Sequence, residues 1–209
     1  MHIADGVLSA QVLAAGGAIA AGGTAVGLKK LDMEKVPRVA VMSAAFFVAS
    51  LIHVPAGPSS VHLVMVGLVG LLLGWTCFPS LLIALSLQSL LFQFGGLTAL
   101  GVNTVNHAVP GIIVFLLLGR VARRGGKPAA AAAGAAAGAL GVILAAVMTA
   151  FSLVFSGEQF TAAAKLIVLS HLPVAAVEGV IGAFVVMLLK RVKQMLDPND
   201  IMNPGKLGI

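Results

Sequence analysis

The 209-residue chain carries very little charge: only 10% of its residues are Asp, Glu, Lys or Arg. A soluble domain carries roughly a quarter, so a water-soluble globule is excluded. A 59% hydrophobic content and a mean hydropathy of +1.08 indicate instead a polytopic membrane protein, each crossing needing ~20 apolar residues. The single cysteine, Cys77, excludes an internal disulfide and a thiolate cluster. No Walker-type phosphate loop is present, so this chain is not expected to hydrolyse ATP by itself. The absence of H-E-x-x-H and G-x-S-x-G argues against a membrane protease or esterase. No lysine stands between Leu166 and Leu189, where a retinal protein would need one in its last span. With no nucleophile–base constellation, the chain is not expected to be an enzyme. No basic segment precedes the first apolar run, and Asp5 does, so no cleavable signal peptide is read. The net charge of +6 is distributed over separate loops and is no nucleic-acid footprint.

What is present is apolar and glycine-rich, with 25 Gly, as in closely packed membrane helices. Seven apolar segments fall between charges and Gly/Pro breaks, approximately at 8–28, 37–53, 61–75, 79–94, 106–119, 129–155 and 166–189. The third to fifth are short, which predicts a broken helix or a thinned bilayer there. The fold expected is therefore all-α, a single transmembrane domain over 1–195 with a tail over 196–209. Basic residues set its orientation. Lys29, Lys30, Lys35 and Arg38 follow span one, Arg120, Arg123, Arg124 and Lys127 follow span five, and Lys190, Arg191 and Lys193 follow span seven. Only Lys165 lies in the opposite set of loops. The N-terminus is then outside and the C-terminus cytoplasmic, in a bacterial inner membrane.

The start, Met1-His2-Ile3-Ala4-Asp5-Gly6, carries the clearest chemistry. A large second residue generally blocks removal of the initiator, so the Met1 amine is expected to remain. That amine, the His2 backbone nitrogen and the His2 imidazole close two fused chelate rings on one cation. One planar position is left for a donor from elsewhere. A plane of four nitrogens suits Ni(II) or Cu(II) far better than Zn, Mg or Ca, and favours Ni(II) slightly over Co(II). His62 follows the non-helical turn His53–Ser60, on the same outer side. Six extended residues reach about 20 Å, enough to bring His2 to His62. The alternative is a His62 bonded to a neighbouring carbonyl at the interface.

Asn103, Asn106 and His107 form a second polar cluster, read as an external connection between spans four and five. It is either a lid that orients the ligand imidazoles or merely a long polar loop. Asp5 is expected to order the arm or the start of the first helix. Glu178 and His171, seven residues apart on span seven, either mark an ion path or close the bundle. Small residues at Ala10, Ala14, Ala18 and Gly22, and again at Ala130, Gly134 and Gly138, make smooth stripes. These admit a close neighbour, inside the bundle or from another protein.

Met1–Gly6, Pro58-Ser59-Ser60-Val61-His62-Leu63, Phe92-Gln93-Phe94-Gly95-Gly96-Leu97, Gly101-Val102-Asn103-Thr104 and His171-Leu172-Pro173 through Glu178-Gly179 together strongly resemble the CbiM/NikM family. These are the substrate-binding (S) components of nickel and cobalt energy-coupling factor (ECF) transporters, and the resemblance covers nearly the whole chain. It implies seven transmembrane helices, a six-helix core with one added N-terminal helix. It implies metal ligation by Met1, His2 and His62, with Ni2+ or Co2+ as transported substrate. It also implies a transmembrane T component, ABC ATPase subunits and often a small auxiliary membrane subunit as partners, Ala14 and Ala18 being candidates for T-component contact. His107 stands where Met is usual in the family. The rival readings are a cobalt-specific subunit serving cobalamin biosynthesis and a stand-alone secondary carrier, but the inverted repeat expected of a carrier is not found.

Overall fold

The computed structural model describes residues 2–56, 59–199 and 201, which form a helical bundle with one small β-hairpin. In chain order these are α1 (Ala10–Lys29), α2 (Val36–Ala49), the antiparallel strands β1 (His53–Ala56) and β2 (Ser59–His62), α3 (Val66–Leu73), α4 (Cys77–Phe92), α5 (Leu100–Arg124), α6 (Lys127–Val154), α7 (Thr161–Ser170) and α8 (Leu172–Leu196). Five helical stretches are long and apolar enough to cross a membrane, and α2 is a shorter apolar helix.

One of those five, Val66–Phe92, has the length of a single span, yet the chain turns back inside it. A Cβ placed on Gly111 of α5 would lie 3.4 Å from the Val66 oxygen and 3.6 Å from the Cys77 sulfur. Residues eleven apart on one straight helix are ~16 Å apart along its axis, so α3 and α4 do not share an axis. The reversal falls at the 3₁₀ turn Gly74–Thr76, where Gly74 has φ 56° and ψ −130°, a conformation open essentially to glycine alone.

The third expected span is therefore a broken helix. Eight residues of α3 rise only ~12 Å, and the hairpin and a short non-helical segment precede it. Met65, at φ 51°, offers α3 no side-chain cap. The cap comes from α8, where the Glu178 carboxylate accepts the backbone N–H groups of Val64 and, at 2.9 Å, Met65. An anion at the positive end of a helix is stabilising, and Glu178 is 2% exposed. Of its two sequence readings, the carboxylate that closes the bundle is the one observed. Glu178→Ala would strand two buried N–H groups at ~1–3 kcal/mol each. A loss of about 3 kcal/mol in unfolding free energy is expected, read by denaturant titration in detergent, with Glu178→Gln milder.

Small residues let the central helices touch by backbone. Gly134 and Gly138 of α6 abut the backbones of Gly182 and Glu178, and Gly67 of α3 abuts Ala137. The stripe Ala130, Gly134, Gly138 is thus buried packing inside the bundle. The stripe of α1 behaves differently. Ala10, Ala14, Ala18 and Gly22 are all exposed, while α1 packs through Gly16 on Val102, Gly23 on Phe78 and Gly27 on Pro79.

Two expected boundaries move. The last span extends beyond 166–189 and is broken at His171, because Pro173 at the start of α8 has no N–H to continue the ladder from α7. The fifth begins at Leu100 rather than 106. Asn103, Asn106 and His107 therefore lie on a helix and are buried, so they are not a lid loop. Their polarity suggested a loop, but partners inside the bundle satisfy much of it.

Candidate metal centre

Residues 2–8 fold inward against the start of α5. Ile3 is 5% exposed and packs with Leu8, Ala99, Val102 and Leu153. Asn103 clamps its backbone in both directions: Oδ1 accepts from Ile3 N–H at 3.0 Å and Nδ2 donates to Ile3 O at 3.0 Å. Gly95, at φ 74°, admits the arm; a side chain there would meet Asn103 Nδ2 and His2 Cβ. Asp5 accepts from Thr98 N–H at 2.9 Å and from the Thr98 hydroxyl. The hydroxyl bond holds the Asp5 carboxyl below its usual range, so this tether is ionised at neutral pH and weakens only in acid. Asp5 does not cap α1, whose N-cap is Ser9.

The arm brings His2 beside two other imidazoles. Its ring centroid is 5.2 Å from that of His62, with the planes 23° apart, and 5.8 Å from that of His107, with the planes 25° apart. His2 Nε2 lies 2.8 Å from Gln88 Oε1. The Gln88 amide cannot be turned round, because its Nε2 donates to Phe47 O at 3.5 Å as well as to Ser50 Oγ at 2.5 Å, and a carbonyl only accepts. His2 Nε2 must then carry the proton, which leaves the lone pair on Nδ1, the nitrogen that reaches its own backbone. Burial also holds the His2 imidazole well below its ordinary pKa of 6.5, so it is neutral, the form that ligates. Sequence reading missed Gln88, which stands in an apolar stretch and is marked only by its partners.

His62 is fixed the opposite way. Its Nδ1 donates to Leu63 O at 2.9 Å, placing the lone pair on Nε2. The carbonyl-bonded His foreseen as the alternative is real, and the same bond orients the ring for ligation. His107 Nδ1 donates to Asn103 O at 2.7 Å, and its Nε2 is buried without a partner. Asn106 takes no part in holding the arm; its Oδ1 accepts from Ser152 Oγ on α6 at 3.0 Å. His53 pairs in register with His62 across the hairpin. Its side chain lies outside the described residues, as does Met1.

His2 and His62 line a cavity of 540 Å³ with Ile3, Phe94, Thr149 and His171. Among the described residues no group of three His, Cys, Asp or Glu side chains forms a metal cage.

Comparison with known proteins gives the family. A family model described as "CbiM: Cobalt uptake substrate-specific transmembrane region" matches residues 2–196. The chain is 40% identical over 191 residues to a putative metal transport protein of Haemophilus influenzae, covering 90% of this chain and 93% of that one. It is 32% identical over 206 residues to the cobalt transport protein CbiM of Sorangium cellulosum, covering 91% of each. A solved structure described as that of a transition metal transporter superposes with a TM-score of 0.78 at 29% identity, covering 96% of this chain and 98% of that one. The chain belongs to the CbiM family, membrane components of cobalt and nickel uptake.

Proposed function

We propose that this chain is the substrate-binding (S) component of an ECF-type transporter, taking up Ni(II), or Co(II), from outside the cell. The metal is bound by the Met1 amine, the backbone nitrogen and Nδ1 of His2, and Nε2 of His62. The observation that carries this reading is the pair of oppositely locked imidazoles: Gln88 leaves His2 its Nδ1 and Leu63 leaves His62 its Nε2, with the rings 5.2 Å apart. The ring planes of His2 and His107 are 25° apart. Four nitrogens in one plane, the donor set proposed, suit Ni(II).

A single membrane domain over 1–195 crosses seven times, with its N-terminus outside and the tail 196–209 in the cytoplasm of a bacterial inner-membrane protein. The broken α3 and the run of basic residues behind α1, α5 and α8 support that topology. No phosphate loop is present, so ATP is hydrolysed by separate ABC ATPase subunits, coupled through a T component and in some systems an auxiliary membrane subunit.

The metal reading is tested by the spectrum and by competition. Bound Ni(II) is expected to be low-spin, diamagnetic and yellow to orange, with protons released on binding and Co(II) weaker in direct competition. A paramagnetic octahedral nickel spectrum would show the donor set to be wrong. The exposed face of α1 is assigned to the T component. Ala14→Leu and Ala18→Leu should leave metal affinity unchanged and uncouple ATP-driven uptake in the reconstituted complex; normal assembly and transport by both would return that face to lipid.

A further inference from the structure

Among the described residues, five buried side-chain atoms have no hydrogen-bond partner: Thr24 Oγ1 on α1, and Asn106 Nδ2, His107 Nε2, Thr149 Oγ1 and His171 Nε2 on α5, α6 and the head of α8. Leaving such groups unpaired costs about 1–3 kcal/mol each, so the last four point to an occupant. His171 and His107 are built alike. Each donates Nδ1–H to the carbonyl one turn earlier, His171 to Ile167 O at 2.7 Å and His107 to Asn103 O at 2.7 Å. Each therefore holds out an Nε2 lone pair. His171 is 4% exposed and Thr149 1%, and both face the 540 Å³ cavity that His2 and His62 also line. His171 lies within electrostatic reach of both His62 and His107.

Resting on the proposed function above, we infer that His171 and Thr149 form a docking position for the hydrated divalent cation, held through its water shell before the N-terminal nitrogens replace that shell. Neutral imidazole lone pairs accept hydrogen bonds from metal-bound water, whose protons are strongly polarised. The Thr149 hydroxyl adds a further acceptor on the α6 wall. An ion with six waters at ~30 Å³ each needs about 180 Å³, well within the cavity. Too few nitrogens are present to strip the ion there, so it is retained without being trapped. Each nitrogen of the final plane then displaces one water molecule, the two remaining waters leave to solvent, and the protons of the amine and the peptide nitrogen pass to solvent.

The test is rapid mixing of the purified full-length protein with aqueous Ni2+, following the absorption of the bound metal, and separately its loss to excess chelator. His171→Leu and Thr149→Val are compared with wild type. Removing hydrogen bonds from the water shell at the bottleneck should slow association by about tenfold. Dissociation should slow by the same factor, so that Kd and the final spectrum stay unchanged, and His171→Gln should recover part of the rate. Unchanged rates in both leucine and valine variants overturn the proposal. So does a weaker Kd carried by faster dissociation, which would place these side chains in the final site. An unchanged final spectrum reports that each variant is folded. Failure of the ligand assignment is read separately, as a wild-type spectrum that survives His2→Ala.

Discussion

Protein whose Met1 is masked by a cleavable N-terminal fusion is expected to bind Ni(II) at least ~100-fold more weakly than the same protein after cleavage restores Met1 as its first residue. Four-ligand structural sites are worth ~10–16 kcal/mol in total, so one nitrogen's share is about 3 kcal/mol. The amine also anchors the first chelate ring, and its loss removes the ring as well as the bond. Asn103 and Thr98 hold Ile3 and Asp5, so the arm should stay docked while the fusion is present, and the effect reads the donor rather than the fold. Equal affinity before and after cleavage would sink the amine as a ligand.

His62→Ala should weaken Ni(II) binding by ~100-fold or more, as the loss of one of four ligands requires, whereas His53→Ala should change it little. His62 sits where β2 gives way to α3, its ring 5.2 Å from His2 and oriented by Leu63 O. His53 is its neighbour across the ladder, so the pair controls for damage to the hairpin. Metal titration reads both. The reverse order would make His53 the fourth donor, and a small effect from both would turn attention to His107.

Much of the proposed metal centre is legible in the chain because its proposed donors belong to local patterns. A histidine in second position commits three nitrogens by covalent connection alone. The Pro/Gly turn before His62 cannot be helical, and non-helical backbone within an apolar bundle marks a lined cavity. Gln88 was not legible: between Leu87 and Ser89 in an apolar helix it looks like any tolerated polar residue. Its meaning comes from Phe47 O, Ser50 and His2, which are remote in sequence. Asn103 and His107 read as loop residues in the sequence because polar residues in a span are costly in isolation. Their cost is offset by the backbone of Ile3, a contact that exists only after the arm has folded in, and by the turn of α5 behind them. His171 was noticed for its position on the helix, yet its unpartnered Nε2 could not be known from spacing.

By itself the sequence determined the solvent this protein lives in, its helical class, the histidine in second position on which the proposed chelate rests, and the basic flanks of its helices. These follow from composition and from covalent or near-neighbour geometry, which need no fold to be read. Only the tertiary structure decided that α3 is half a helix capped by Glu178 from α8, that the small-residue stripe of α6 is internal while that of α1 is exposed, and which nitrogen each imidazole presents. Those outcomes depend on which groups meet, for Glu178 and His2 with partners remote in sequence and for His62 with the carbonyl beside it. Hydrogen bonding saturates and is directional, so that choice is settled by packing and not by pattern.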